Sequence, residues 1–234
     1  EAHKIIQAYN AVTRIVCPAM LFKSEAIVHP RDVMSYISWE ECPISYNPTL
    51  MALSWEALAT RNVSLLRHSM SKRFDLPPKT AWVNYVRVHD DIGWTFADED
   101  EEELWMNSFD HRLFLNEFYT GEFEGSFATG LSFNYNPVNK DRRITGTAAS
   151  LAGIEQGLKL KNDTFIDHAI RRVLMIYSIA MSAGGIPLIY IGDELATLND
   201  YSYTDDPDKK EDSRWVHRPK FDWKRANDRH DDST

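Results

Sequence analysis

An imidazole and two carboxylates, His89, Asp90 and Asp91, follow directly on the run Ala81-Trp-Val-Asn-Tyr-Val-Arg-Val88. The run is rich in β-branched and aromatic residues and reads as a strand, so all three polar groups arrive at its carboxyl end. Gly93 then lets the chain turn. Two other apolar runs end in acid: Ala19-Met-Leu-Phe-Lys-Ser-Glu25, and Ile186-Pro-Leu-Ile-Tyr-Ile191 followed by Gly192-Asp193-Glu194. Carboxylates delivered by separate strands predict a convergent acidic pocket. Two chemistries use such a pocket. In glycosyl transfer one acid protonates the leaving oxygen while other carboxylates stabilise an oxocarbenium-like transition state or attack the anomeric carbon. In metal-dependent phosphoester hydrolysis His89-Asp90 would be part of a histidine-aspartate metal site, which requires further histidines at matching positions. The plainer alternatives are a solvated, helix-capping loop at 89–91 and a Lys23 to Glu25 ion pair.

The elements that must position these groups follow from hydrophobic spacing. Ile5, Ala8, Tyr9, Val12, Ile15 and Val16 form a helical stripe closed by Pro18, predicting a buried first helix. The strand ending at Glu25 comes next, then a loop in which Ile44-Ser-Tyr46 reads as a brief strand. Leu50, Leu53, Ala57, Leu58, Leu65 and Leu66 mark one long helix, stopped by Pro77-Pro78 ahead of the strand from Ala81. Strand, helix, strand is the rhythm of a parallel sheet, and an α/β barrel keeps its chemistry at the carboxyl ends of its strands. Between Asp91 and Gly157 no period is sustained. Roughly sixty-five residues exceed any ordinary βα loop and predict an inserted subdomain. Ile166, Ile170, Val173, Leu174, Tyr177 and Met181 restore helical spacing up to Gly184-Gly185, and a buried strand follows at 186–191.

The bulk numbers narrow the field. With 234 residues, 43% of them hydrophobic, the chain can bury a sizeable core. A formal charge of −9 excludes a nucleic-acid surface, which needs clustered Lys and Arg. No apolar run reaches the length of a membrane span, and the start lacks a signal-peptide layout. Cys17 and Cys42 have no metal-ligand spacing and read as reduced, packed thiols. Asn62-Val-Ser and Asn162-Asp-Thr match the glycosylation acceptor pattern, which also arises by chance.

Three stretches carry a resemblance. Phe22-Lys-Ser-Glu-Ala-Ile-Val-His-Pro30, Asn84-Tyr-Val-Arg-Val-His-Asp-Asp-Ile-Gly-Trp94 and Gly185-Ile-Pro-Leu-Ile-Tyr-Ile-Gly-Asp-Glu194 resemble, in this order, the fifth-, seventh- and eighth-strand motifs of the alpha-amylase superfamily, glycoside hydrolase family 13. The wording is closest to its amylosucrase branch, and Tyr46-Asn-Pro, Arg143-Ile-Thr-Gly-Thr-Ala-Ala149 and Asp212-Ser-Arg-Trp-Val-His-Arg-Pro219 extend the similarity. The resemblance implies an α/β fold: a partial (β/α)8 TIM barrel, strands 5 to 8 with their helices, carrying an inserted subdomain after strand 7. Its segments would be 1–91, 92–157 and 158–234.

The resemblance also implies roles. Glu25 would be the general acid/base, Asp90 the carboxylate that grips the ring hydroxyls in the transition state, and His89 a hydrogen-bond partner of the same glucosyl unit. Ile27, Val28, Asp91, Arg112 and Arg143 would line the acceptor side, with Arg214 at the pocket floor. The activity implied is retaining transfer of glucose from sucrose onto an α-1,4-glucan, with no cofactor and no metal. Sucrose hydrolysis, another glycosidase activity of the superfamily, and a non-catalytic remnant that binds sugar or docks to a partner are the alternatives. The superfamily's nucleophile is an aspartate in an Arg-x-Asp motif after the fourth strand. Arg73-Phe-Asp75 imitates the motif, but it follows Glu25 and sits at a helix end. The reading therefore expects strands 1 to 4 to be needed for activity, and, from family habit and the missing signal, a cytoplasmic location.

Overall fold

The structure is a computed structural model and describes residues 1–228. In chain order its strands are β1 (Lys23–Ser24), β2 (Ile44–Tyr46), β3 (Ala81–Tyr85), β4 (Leu131–Phe133), β5 (Arg143–Thr145) and β6 (Ile186–Leu188). Its helices are α1 (Ala2–Val16), α2 (Pro30–Ser35), α3 (Pro48–Thr60), α4 (Ser64–Arg73), α5 (Asp98–Glu102), α6 (Ser108–Thr120), α7 (Ala148–Ala152), α8 (Ile154–Leu160), α9 (Asp163–Ser182) and α10 (Trp223–Asp228). The chain divides into two compact units. The first comprises Glu1–Tyr85, Trp94–Ser108 and Ser178–Leu188; the second comprises Val86–Gly93, Phe109–Tyr177 and the chain from Ile189 onward.

The first unit is built on a four-stranded sheet, all parallel, in the order β1-β2-β3-β6. Ser45 sits opposite Trp82 and Asn84 opposite Pro187. Parallel neighbours need helical crossovers, and α3 and α4 supply the one between β2 and β3. Leu50, Met51, Ala52, Leu53 and Trp55 of α3 are all buried, as are Ser54 and Glu56, so this helix is covered on nearly every side. Val33, Ile37 and Trp82 form a second core cluster with Met34, Phe74 and Leu76. A buried amide ladder ties the strands together. Asn47 accepts from the amide of Leu50 and caps α3, its Nδ2 donates to Asn84 Oδ1 at 3.1 Å, and Asn84 Nδ2 donates to the Gly184 carbonyl.

Several expectations are corrected. The stripe of α1 is not buried: Ile5, Tyr9, Val12, Ile15 and Val16 are exposed, whereas Asn10 and Thr13 are covered. The polar face docks because it finds partners on the 39–41 segment. Asn10 Nδ2 donates to the Glu41 carbonyl at 2.6 Å, Gln7 Nε2 to the Glu41 carboxylate at 2.8 Å, and the Arg14 guanidinium lies 4.2 Å from the Trp39 ring centre. The long helix from Leu50 is two helices, broken at Arg61, whose φ is 56°. Asn62 Oδ1 accepts from the amide of Ser64 and starts α4 afresh. Leu58 and Leu65 hide the break, being seven residues apart and in phase either way.

The run 186–191 contributes only three residues to the sheet, where β6 is an edge strand, and it is not buried: Ile186, Ile189 and Ile191 are exposed. Cys42 is buried as expected, but Cys17, at the end of α1, is exposed. Lys23 does not follow the ion-pair alternative: its ammonium lies 3.6 Å from the Tyr46 ring centre. Arg73 of the imitation motif is structural, donating from Nε and Nη2 to the carboxylate of Asp100, which is fully buried.

In the second unit β4 and β5 pair antiparallel, and Ile92 bridges to Ile144 through hydrogen bonds of 2.7 and 3.0 Å. Ala149, Ile154 and Ala169 anchor its core. The aperiodic segment thus carries regular elements, most of them too short to register as a period.

Gly185 marks where the fold tolerates least. Its φ is +107°, and a Cβ there would stand 2.5 Å from the Trp82 carbonyl oxygen. Gly185→Ala is expected to destabilise the first unit by about 1–3 kcal/mol from backbone strain alone, with the clash adding to it, read as a lower urea midpoint at unchanged m-value.

Candidate active site

After Tyr85 the chain leaves the ladder, and Val86–Gly93 belongs to the second unit. Arg87 holds this loop. Its side chain is 1% exposed, with Nε 2.8 Å and Nη2 2.8 Å from Asp193 Oδ1. Nη1 donates to the His217 carbonyl at 3.0 Å, and the guanidinium lies 4.5 Å from the Tyr190 ring centre. The Tyr177 hydroxyl also donates to Asp193. Burial, then the Asp193 charge, push the Tyr177 phenol far above its ordinary range. Asp193 is therefore committed to structure and is not the pocket acid that its place after an apolar run suggested. Glu194 likewise turns back on its own backbone, accepting from the Gly192 amide at 2.7 Å.

His217 is 1% exposed. Its Nδ1 accepts from the Gly146 amide at 3.0 Å, so the ring proton resides on Nε2, which donates to the His89 carbonyl at 3.0 Å. Burial and the nearby Arg87 charge hold this imidazole neutral, its pKa pushed down to about 3. Arg218 Nε donates to the same His89 carbonyl at 2.7 Å.

The middle of the loop carries expected site residues, His89 exposed, Asp90 half-buried and Asp91 buried. Asp90 Oδ1 faces Arg214 Nη1 and Arg218 Nη2, each at 3.3 Å, and Asp90 Oδ2 is 3.3 Å from His89 Nε2. Arg214 is aimed by Asp212, whose carboxylate accepts from its Nε at 2.9 Å and Nη2 at 2.9 Å, and by the Phe133 ring 4.6 Å away. That hydrogen bonding lowers the Asp212 pKa and raises the Arg214 pKa. Asp91 is buried and pairs with Arg143 Nη1 at 3.2 Å. Arg112 lies half-buried on α6. The second unit thus brings together His89, Asp90, Asp91, Arg143 and Arg214.

Glu25, Ile27 and Val28 belong to the first unit, just beyond β1, and all three are exposed. Glu25 and Val28 line a cavity of about 620 Å³ with Ser24, Tyr36 and Cys42. Two guanidinium groups already stand against one oxygen of Asp90, which disfavours a divalent cation on that oxygen. Sequence reasoning missed Arg87, Arg218 and His217 as a set. The usable signal was an arginine within the largely apolar run 81–88, which requires a buried acid.

Sheet order, parallel pairing and polar groups gathered after β3 define an α/β protein built on part of a (β/α)8 barrel. No protein-family model matches the chain. Its fold is similar to the solved structure of sucrose 6F-phosphate phosphorylase from Thermoanaerobacter thermosaccharolyticum, with a TM-score of 0.64 at 14% sequence identity, over 97% of this chain and 40% of that one. The chain therefore spans well under half the length of that neighbour. Among the described residues no helix is long and apolar enough to cross a membrane.

The His217 geometry predicts an acid-sensitive second unit. An unfolded histidine takes up a proton below about pH 6.5, whereas the folded one declines it until about pH 3. More protons are bound in the unfolded state throughout that window, so stability falls as pH drops through it, by on the order of several kcal/mol. Urea unfolding from pH 7 to pH 4 should show this limb in the wild type and a flatter one in His217→Gln.

Proposed function

We propose that this chain is part of a carbohydrate-active enzyme of the alpha-amylase superfamily that transfers glucose from sucrose, with retention, to a growing α-1,4-glucan. The observation that carries the reading is Asp90, presented after β3 beside His89 and held by Arg214 and Arg218, on a fold similar to that of a sucrose 6F-phosphate phosphorylase. In this reading Glu25 protonates the departing fructosyl oxygen and then deprotonates the incoming acceptor hydroxyl. Asp90 hydrogen-bonds ring hydroxyls most strongly as the ring flattens, His89 holds the same sugar unit, and Arg214 closes the pocket floor. Ile27, Val28, Asp91, Arg112 and Arg143 shape the acceptor side. In the same reading residues 92–157 are the inserted subdomain that follows strand 7. A retaining mechanism further requires a nucleophilic carboxylate about 5 Å from the acid.

A second reading, phosphorolysis, is favoured by the activity named for the structural neighbour. It differs in the acceptor, phosphate in place of a glucan hydroxyl.

The test is fructose release from sucrose by the protein carrying this sequence, with glycogen, inorganic phosphate or water as the acceptor. Glucan elongation supports the transferase, glucose 1-phosphate the phosphorylase, and mainly free glucose at high glycogen the hydrolase. Glu25→Gln and Asp90→Asn are each expected to lower kcat by about 10²–10⁴-fold. Absence of fructose with every acceptor would overturn the reading.

A further inference from the structure

We infer that His217, as its neutral Nε2–H tautomer, is a positioning residue that sets the placement of His89 and Asp90 for the proposed reaction, and the inference rests on that reading. The loop from Val86 to Gly93 lacks a strand ladder to fix its register, apart from the bridge at Ile92. Ahead of Asp90 it is held by Arg87 and, next to Asp90 itself, by the His89 carbonyl, whose two lone pairs are both used, by His217 Nε2 at 3.0 Å and Arg218 Nε at 2.7 Å. The His217 ring is itself held at both ends, because Gly146 N–H occupies Nδ1. Its backbone is held as well, since Arg87 Nη1 donates to the His217 carbonyl.

The loop and the 212–218 segment are thus joined through two backbone carbonyls, that of His217 accepting from the loop and that of His89 accepting from the segment. That segment carries both guanidinium groups that meet Asp90 Oδ1. Moving the His217 ring would therefore shift Asp90 relative to Arg214 and Arg218 together. A carboxylate whose work is done in the transition state loses rate, and little ground-state binding, when it is displaced by a fraction of an ångström. A merely space-filling imidazole would not need its proton on Nε2.

Glutamine and asparagine separate these roles. The Gln amide nitrogen can reach the place of Nε2 and donate to the His89 carbonyl, whereas Asn ends near the place of Nδ1 and can only satisfy Gly146. His217→Asn is expected to lower kcat on sucrose by about tenfold or more with KM within about threefold, and His217→Gln to keep kcat within about threefold of wild type. Equal losses in the two variants, or losses that track their thermal midpoints, would overturn the positioning role. Should both variants fail to fold, ¹⁵N shifts of the His217 ring in the wild-type protein decide: a proton on Nδ1 overturns the inference, and one on Nε2 supports it. A wild type inactive on sucrose overturns the functional reading, and the positioning role with it. An active wild type with indifferent variants overturns the positioning role alone.

Discussion

A guanidinium with no route to water governs the second unit. Removing Arg87 from solvent costs several kcal/mol unless every donor finds an acceptor in good geometry. Asp193, the His217 carbonyl and the face of Tyr190 meet that demand, and the Tyr177 hydroxyl completes the carboxylate. Partners from well-separated stretches of chain are required at once. The loop after β3, the turn at Asp193, the helix bearing Tyr177 and the segment 212–218 must therefore assemble together. Packing alone would leave these irregular segments several alternative arrangements; a buried charge with fixed directions permits few.

From that anchor the polar side chains fall into order. Arg87 fixes the backbone of His217, His217 and Arg218 fix the carbonyl of His89, and the next residue, Asp90, meets Arg214 and Arg218 from a backbone that is already constrained. Rigid placement by supporting hydrogen bonds matters more here than in a site carried by helices or strands, because the residues at issue lie on loops and a short 3-10 turn, Ser213–His217.

The sheet was legible in the sequence because its signals are local. β-branched runs, Pro77-Pro78 ahead of β3 and Gly184-Gly185 ahead of β6 each act within a few residues, and the strand–helix–strand rhythm they mark is that of the parallel sheet observed. The polar cluster at 89–91 was legible for the same reason. What was not legible depends on partners far away in the chain. Asp90 and Asp193 look alike locally, each an acid after an apolar run, yet one stays partly exposed and the other neutralises a buried arginine 106 residues upstream. His217 gave no sign of its ring contacts, which reach 71 and 128 residues away. On α1 the stripe correctly predicted a helix but not which face is covered, since hydrogen bonds to the 39–41 segment claim the polar side.

The same distinction sorts the acidic run at Asp98–Glu103, which by composition alone reads as a solvated charge cluster. Asp100 is fully buried between Arg73 and Ser69, Glu99 reaches Arg73 and His29, and Glu103 reaches Lys72 and His68. These contacts hold the Asp100 carboxyl below its usual range despite burial. The run is a strip of anions that α4 grips with its basic last turn, where cations also suit the helix dipole. A carboxylate's work is thus set by the cations it meets and by the space left beside it. Asp100 and Asp193 are enclosed by their partners, whereas Asp90 keeps 29% of its side chain exposed although two arginines meet its Oδ1 and His89 its Oδ2. Exposure of that kind separates an acid that solvent can reach from one committed to the fold.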